Sequence, residues 1–195
     1  MKQEDLYRDT CAEVHAATGK SSITVLDYGC GAEKGVSRTI LENVLEQRDL
    51  LLLYDTQEVQ PSRRPNTRVI SEALIWSANP VQSDIVNLSY VLCLLPPEEA
   101  RMLLRDLSYF QHGATLSIVD YTLKHQSRDR VLQLLTANEE QKWRQQMGDA
   151  AFLETHMRFS PDGIADLVES AGLRIQKTIP LDREQFRTGI VAVRD

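Results

Sequence analysis

No stretch of this chain approaches the roughly 20 consecutive apolar residues that a membrane-spanning helix needs. The first residues include Lys2, Glu4, Asp5, Arg8 and Asp9 and carry no apolar core of a secretory leader. Cysteine is scarce and odd in number: Cys11, Cys30 and Cys93 stand far apart without a C-x-x-C pair. A disulfide framework and a zinc site are therefore not expected, and the cytoplasm, with its reduced thiols, is the expected compartment. Positive charge is in deficit, with 22 Lys and Arg against 28 Asp and Glu for a net charge of −6. Such a surface repels polyanions, so nucleic acid is not expected as a partner unless a second protein helps to hold it. The basic group Arg63, Arg64 and Arg68 reads as a solvated loop. Also missing are a complete G-x-G-x-x-G phrase, since Lys34 stands where the third glycine would fall, and the Lys-Ser or Lys-Thr pair of a phosphate-binding loop.

What is present is an ordinary globular chain of 195 residues with an apolar share of 42%, enough for one domain, 1–195, with a real core. Leu6, Thr10, Val14 and Ala17 recur at helical spacing over residues 3–18, and Gly19 ends that helix. Compact apolar runs at 23–28, 50–54, 68–71, 84–88 and 115–119 read as strands, and 173–179 and 189–193 as the last two. Between them lie a helix at 35–47, striped by Val36, Ile40, Val44 and Gln47, a helical turn at 72–76 and a helix opened by Pro96 and Pro97 that Gly113 breaks. Residues 126–156 are charged and helical, and Ser160, Pro161 and Asp162 start a further helix that Gly172 ends. Alternating strands and helices with strands apolar on both faces predict a doubly wound α/β sheet. No helix separates the final two strands, so they are expected to pair antiparallel.

The most informative phrase is Val25-Leu26-Asp27-Tyr28-Gly29-Cys30-Gly31, a strand that ends on an acid and turns through glycines into a helix. Glycines let the backbone approach a ligand, and the helix start offers unpaired N–H groups. With an acid and no phosphate-binding pair, the turn suits a ligand bearing hydroxyls and a cation. The second strand ends at Asp55, where a carboxylate can accept from both hydroxyls of a ribose.

The phrase resembles motif I of class I S-adenosylmethionine-dependent methyltransferases, V-L-D-x-G-C-G-x-G. The run 84–96, from Asp84 to Pro96, resembles the family's fourth motif, and the stretch from Phe159 to Leu173 its F-[ST]-P-E-x-L…A-G-F ending. The resemblance covers about residues 22–120 plus that tail. It implies a three-layer, doubly wound, mostly parallel seven-stranded sheet with an antiparallel last strand, and S-adenosyl-L-methionine as cofactor. It implies cofactor contacts from Asp27, Gly29, Cys30, Gly31, Asp55, Thr56, Leu74, Asn87, Leu88 and Ser89, with no metal. One departure stands out: the family's third glycine falls on Glu33, so either the turn is about two residues longer or Gly35 takes over the packing role.

Methyl transfer from a sulfonium is an in-line displacement, and a general base helps a hydroxyl acceptor. Tyr90, just past the fourth strand, and His125 and His156 are the catalytic candidates. The helix 3–18 and the segment 124–158 are expected to form a substrate lid, in which Trp143, Met147, Phe152 and Met157 line the inner face or hold the segment to the sheet. A lid this short suits a small-molecule acceptor. Three alternatives stay open: a degenerate cofactor-binding or cofactor-free regulatory module, a nucleic-acid or protein methyltransferase working with a partner, and an NAD-dependent oxidoreductase. The acceptor atom and homodimerisation are also open.

Overall fold

The computed structural model describes residues 1–32, 35–122, 144–156, 159–181 and 186–194. Helix α1 (Gln3–Thr18) starts where the Lys2 N–H donates to Asp5 Oδ2 at 2.9 Å, with Glu4 and Asp5 in its first turn, and ends at Gly19 in the left-handed region (φ 65°). Then come β1 (Thr24–Tyr28), α2 (Val36–Val44), β2 (Leu50–Tyr54), β3 (Thr67–Val69), α3 (Ala73–Trp76) and β4 (Ile85–Ser89). A 3₁₀ turn at Leu92–Leu94 leads to α4 (Pro97–Phe110), β5 (Thr115–Tyr121), α5 (Asp149–His156), α6 (Pro161–Ser170), β6 (Arg174–Pro180) and β7 (Arg187–Val193). Helix α6 has Ser160 as its cap, accepting the Gly163 N–H at 2.9 Å, with Pro161 at the first helical position.

The seven strands lie in the order β3-β2-β1-β4-β5-β7-β6. Strands β1 to β5 pair in parallel, and β7 runs antiparallel between β5 and β6, so it alone opposes the other six. The expected antiparallel closure is present. Strand β7 begins two residues earlier than its apolar run, because Asp120 and Tyr121 at the end of β5 pair with Thr188 and Arg187. Among the described residues no helix is long and apolar enough to cross a membrane.

Strand alternation sorts the side chains into two cores. Val25, Leu51, Leu53, Ile85, Val119 and Val191 face Leu6, Tyr7, Cys11 and Val14 of α1 and Leu41 of α2. Leu26, Leu52, Val86, Leu88, Leu116 and Ile118 face Leu104 and Leu107 of α4 and Ile164 and Val168 of α6. By the same parity Asp27, Asn87, Ser89 and Ser117 point under α1 and α2, whereas Tyr28, Tyr54 and Leu88 point to the other side. Helix α1 settles closely on the sheet because Gly189 of β7 has no side chain: a Cβ there would lie 2.6 Å from Leu6 Cδ2 and 3.2 Å from Leu181 Cδ2.

Helix α2 departs from its expected stripe. Val36 is exposed and Gln47 lies outside the helix, while the buried residues are Ser37, Arg38 and Leu41, one position round. Ala17 of α1 is likewise exposed. Arg38 is 1% exposed because its Nε pairs with Glu42 Oε1 at 3.1 Å and its Nη1 donates to the Gln60 carbonyl at 2.9 Å. A buried guanidinium is stable when its donors are met in this way.

The amino edge of the sheet is held by hydrogen-bonded polar side chains. Asp49, buried, accepts from the Ile23 N–H at 3.1 Å and the Glu46 N–H at 2.9 Å and faces His15 Nε2 at 3.3 Å. Asp84 accepts from the Thr24 N–H at 2.8 Å and pairs with Lys20. Arg64 donates to the carbonyls of Glu46, Asp49, Pro65 and Asn66.

Candidate active site

The strand order reverses direction between β1 and β4, so a crevice is expected at the carboxyl ends of these strands. The glycine turn lies there. Gly29 and Gly31 both have positive φ, 76° and 79°, which is why this turn carries glycine. The turn is tied to the tip of β2: the Gly29 and Cys30 N–H groups donate to the Tyr54 carbonyl at 2.8 and 3.1 Å, and the Gly31 N–H donates to Asp55 Oδ2 at 2.9 Å. The other oxygen of Asp55 accepts from the Gln57 N–H at 3.0 Å. Asp55 is half-buried and, like any carboxylate, keeps lone pairs for hydroxyl donors. Gly35 caps α2 with its Cα against the turn, and a Cβ there would lie 3.3 Å from the Cys30 carbonyl oxygen.

Asp27 lies at the centre of a buried polar cluster. Its Oδ1 accepts from Asn87 Nδ2 at 2.6 Å and Ser37 Oγ at 3.2 Å. Asn87, its register partner on β4, also donates to Ser37 Oγ at 3.0 Å and Ser89 Oγ at 3.3 Å. Among the described residues Asp27 Oδ2 and Asn87 Oδ1 have no partner, and neither has Ser117 Oγ, one strand further along the same row. Burial pushes the Asp27 carboxyl up to about 6, against the pull of Asn87, Ser37 and Arg38, with Asp55 adding to the rise.

Helix α1 closes this cluster from above. The Tyr7 hydroxyl bonds Ser89 Oγ, lies 3.4 Å from Ser37 Oγ and accepts from Gln3 Nε2 at 2.7 Å. Gln3 Oε1 accepts from the Tyr90 hydroxyl at 3.0 Å. Burial, and then the charge of Asp27, hold the Tyr7 phenol far above its ordinary range, so it acts as a neutral hydroxyl. Tyr90 stacks on Tyr121, centroids 4.6 Å apart, and Val91 packs onto Gly29. Asp120, buried at the end of β5, accepts from the Cys93 N–H at 3.0 Å and the Tyr121 N–H at 2.8 Å, and so fixes the 3₁₀ turn after β4. Burial pushes it, too, up to about 6.

The residues singled out in the sequence therefore fall into groups. Asp27, Asn87 and Ser89 share one network, and Gly29, Cys30, Gly31 and Asp55 form the turn beside it. Thr56 is exposed and reaches Asp55 Oδ1 at 3.5 Å. Leu74 is exposed on α3, close to the β2 and β3 tips. Leu88 belongs to the core on the opposite face, and the Cys30 side chain is buried, its thiol pushed up to about 12 by burial, so either would meet a ligand through its backbone. His125 lies outside the described residues, as do Trp143 and Met157; His156 is the last residue of α5 and its side chain lies outside them as well. Phe152 is buried and Met147 exposed. Sequence reasoning missed Gln3, Tyr7, Ser37, Val91 and Asp120. One signal was legible: Gln3, Tyr7 and Thr10 place polar groups on the stripe of α1 that Leu6, Cys11 and Val14 make apolar.

This arrangement is the class I methyltransferase fold. No protein-family model matches the chain, and no curated protein matches it. Solved structures do. CalO1, a methyltransferase in calicheamicin biosynthesis solved in its S-adenosylhomocysteine-bound form, is 14% identical with a TM-score of 0.61 over 98% of this chain and 60% of that one. The methyltransferase CalO6 is 15% identical (TM-score 0.58; 96% and 64%). A protein described as a pericyclic reaction enzyme is 13% identical (TM-score 0.63; 93% and 47%). The chain thus spans between about half and two thirds of the length of these proteins, and the fold they share carries more than one chemistry.

Proposed function

We propose that this chain binds S-adenosylmethionine over the tips of β1, β2 and β4 and transfers its methyl group to a small-molecule acceptor. The observation that carries the reading is Asp27 Oδ2, a buried carboxylate oxygen without a partner beside a glycine turn whose neighbouring tip presents Asp55. Orphaned buried acceptors call for a donor. An ammonium group fits Asp27, a pair of ribose hydroxyls fits Asp55, and the glycine turn lets a ligand approach its backbone. Leu74 and its neighbours after β3 would border the base.

When bound, the cofactor supplies a methyl group made electrophilic by its sulfonium. The chain's own part is alignment, which is worth several kcal/mol when reacting atoms are held at attack distance. Ser89 and Tyr90 stand where an acceptor would approach. The Tyr90 hydroxyl donates to Gln3 Oε1, which orients it for that role. His125 and His156 complete the set proposed to take the acceptor's proton. The segment 124–158 together with α1 is the proposed lid, and the cytoplasm, where thiols stay reduced, is the proposed compartment, a reading that the free Cys11, Cys30 and Cys93 support.

Calorimetry with S-adenosylmethionine and S-adenosylhomocysteine tests it. Binding on the order of micromolar, lost in Asp55→Ala and absent with NAD, is the expected result; binding of neither compound overturns it. One observation favours a second reading, a cofactor-binding module without transfer: Glu33 stands where the family's third glycine falls. Tight S-adenosylhomocysteine binding with no labelled methyl passed to any of a broad panel of hydroxyl, amine and thiol acceptors would select that reading.

A further inference from the structure

A void of about 10 Å³ lies between α1 and the middle of the sheet. The residues around it are buried: Cys11, Leu41 and Ile85 give it apolar walls, and Thr10, Asn87 and Ser117 bring polar groups to it. Asn87 and Ser117 are register partners on β4 and β5 and share one face of the sheet. Among the described residues, Asn87 Oδ1 and Ser117 Oγ have no hydrogen-bond partner. Two orphaned polar groups thus border a space the size of one water. A space lined by hydrocarbon alone stays dry, whereas buried polar atoms call for a partner.

The donors and acceptors match a water. Thr10 Oγ1 gives its hydrogen to the Leu6 carbonyl at 2.8 Å and keeps its lone pairs. Ser117 has an O–H to give, and Asn87 Oδ1 can only accept. A water that takes the Ser117 hydrogen can give its own two to Asn87 Oδ1 and Thr10 Oγ1, which makes the three bonds usual for a buried water. Tyr7 also borders the void, but its hydroxyl is engaged by Gln3 and Ser89.

We propose that this void is a single-water site, and that Ser117 and Thr10 act through its water as positioning residues for Asn87. The two ends of a carboxamide have nearly the same shape, so hydrogen bonds decide which way it points. Asp27 Oδ1, Ser37 and Ser89 meet the nitrogen end of Asn87, and the water meets the oxygen end. With its nitrogen held toward Asp27, Asn87 occupies Oδ1 of that carboxylate and leaves Oδ2 open. What Oδ2 receives rests on the reading above; the water site does not.

A high-resolution crystal structure of the full chain and a carboxyl-carbon NMR titration of Asp27 test this. Wild type is expected to show one density peak in hydrogen-bond contact with Ser117 Oγ, Asn87 Oδ1 and Thr10 Oγ1, and Ser117→Ala to lose it. The Asn87 bond lowers the Asp27 carboxyl, so its midpoint of about 6 is expected to rise in Ser117→Ala. The ionisable groups that surround Asp27 are Arg38 on α2, Asp55 after β2, Cys30 in the glycine turn and Tyr7 on α1. All four are kept in that variant, and a mere loss of packing at position 117 would leave the midpoint in place. Affinity for S-adenosylhomocysteine is expected to fall about fivefold, one net hydrogen bond read as an affinity. A wild-type structure without the peak, or a peak with an unmoved midpoint in Ser117→Ala, overturns the proposal. A peak and a raised midpoint with no ligand binding uphold it and remove the cofactor reading. If Ser117→Ala does not fold, Thr10→Val decides: it keeps the shape and takes one bond from the water, so the midpoint should again rise, and an unmoved midpoint counts against the proposal.

Discussion

The two edges of the sheet are built from the same kinds of residue and treat them in opposite ways. At the amino edge Asp49 and Asp84 each accept a backbone N–H and face a base, and Arg64 spends its donors on four carbonyls. At the carboxyl edge Asp27 keeps one oxygen unpaired, Asn87 its amide oxygen, and Tyr90 a strained backbone. Unpaired buried groups and left-handed aromatic residues each cost stability. Among the described residues the amino edge has Thr67 Oγ1 and Gln111 Nε2 unpaired, and the carboxyl edge has orphaned carboxylate and amide oxygens side by side with the strained tyrosine. The paired carboxylates of the amino edge secure the fold, and the orphaned oxygens of the carboxyl edge are where a donor from solution would be accommodated.

This contrast can be broken from either side. Asp49→Ala should have the largest effect: it orphans two backbone N–H groups and is expected to cost about 3 kcal/mol of unfolding free energy in urea titrations while ligand affinity stays put. Asp55→Ala should invert that pattern, lowering S-adenosylhomocysteine affinity by about 30-fold or more in calorimetry for about 1 kcal/mol of stability, the share of the Gly31 bond.

The pH response should separate the edges more finely. Asp27 and Asp120 titrate near 6 when folded, against about 4 for a free carboxyl. The folded state binds the extra protons in that interval, so their stabilisation is full below about pH 4 and is lost as pH rises through about 6. Denaturant midpoints should fall across that window, and Asp27→Asn should flatten part of the fall. His15 at the amino edge is raised chiefly by its hydrogen bond to the Lys20 carbonyl and then by Asp49. Its contribution is lost only as pH rises through that raised value, above about 6.5, and His15→Gln should remove that later slope alone. Lys20→Ala should have the smallest effect, under about 1 kcal/mol, because its pair with Asp84 is half in solvent.

The sequence showed the frame of this molecule well, because its signals there are local. Apolar runs marked all seven strands to within two residues, and Asp27, Gly29, Gly31 and Asp55 announced the turn by residue type and spacing alone. The buried face of α2 was not legible. Its apolar stripe pointed to Val36 and Gln47, but Arg38 is drawn inside by Glu42 and the Gln60 carbonyl, partners that periodicity does not encode. Tyr90 gave no warning of its left-handed backbone, since nothing in the sequence reports a bond made 87 residues away by Gln3. The site is thus half local pattern and half long-range hydrogen bonding, and only the first half could be read.

The missing side chain at Gly189 has a consequence far from where it lies. Leu6 sinks into that gap, one residue before Tyr7, so the seating depth of the helix is set on a strand three places away from β1. A single methyl group at position 189 would act as a shim, lifting the helix without altering any atom of the crevice. The height at which the helix rests over the strand tips is thus set without any change among the residues that would touch what the protein binds.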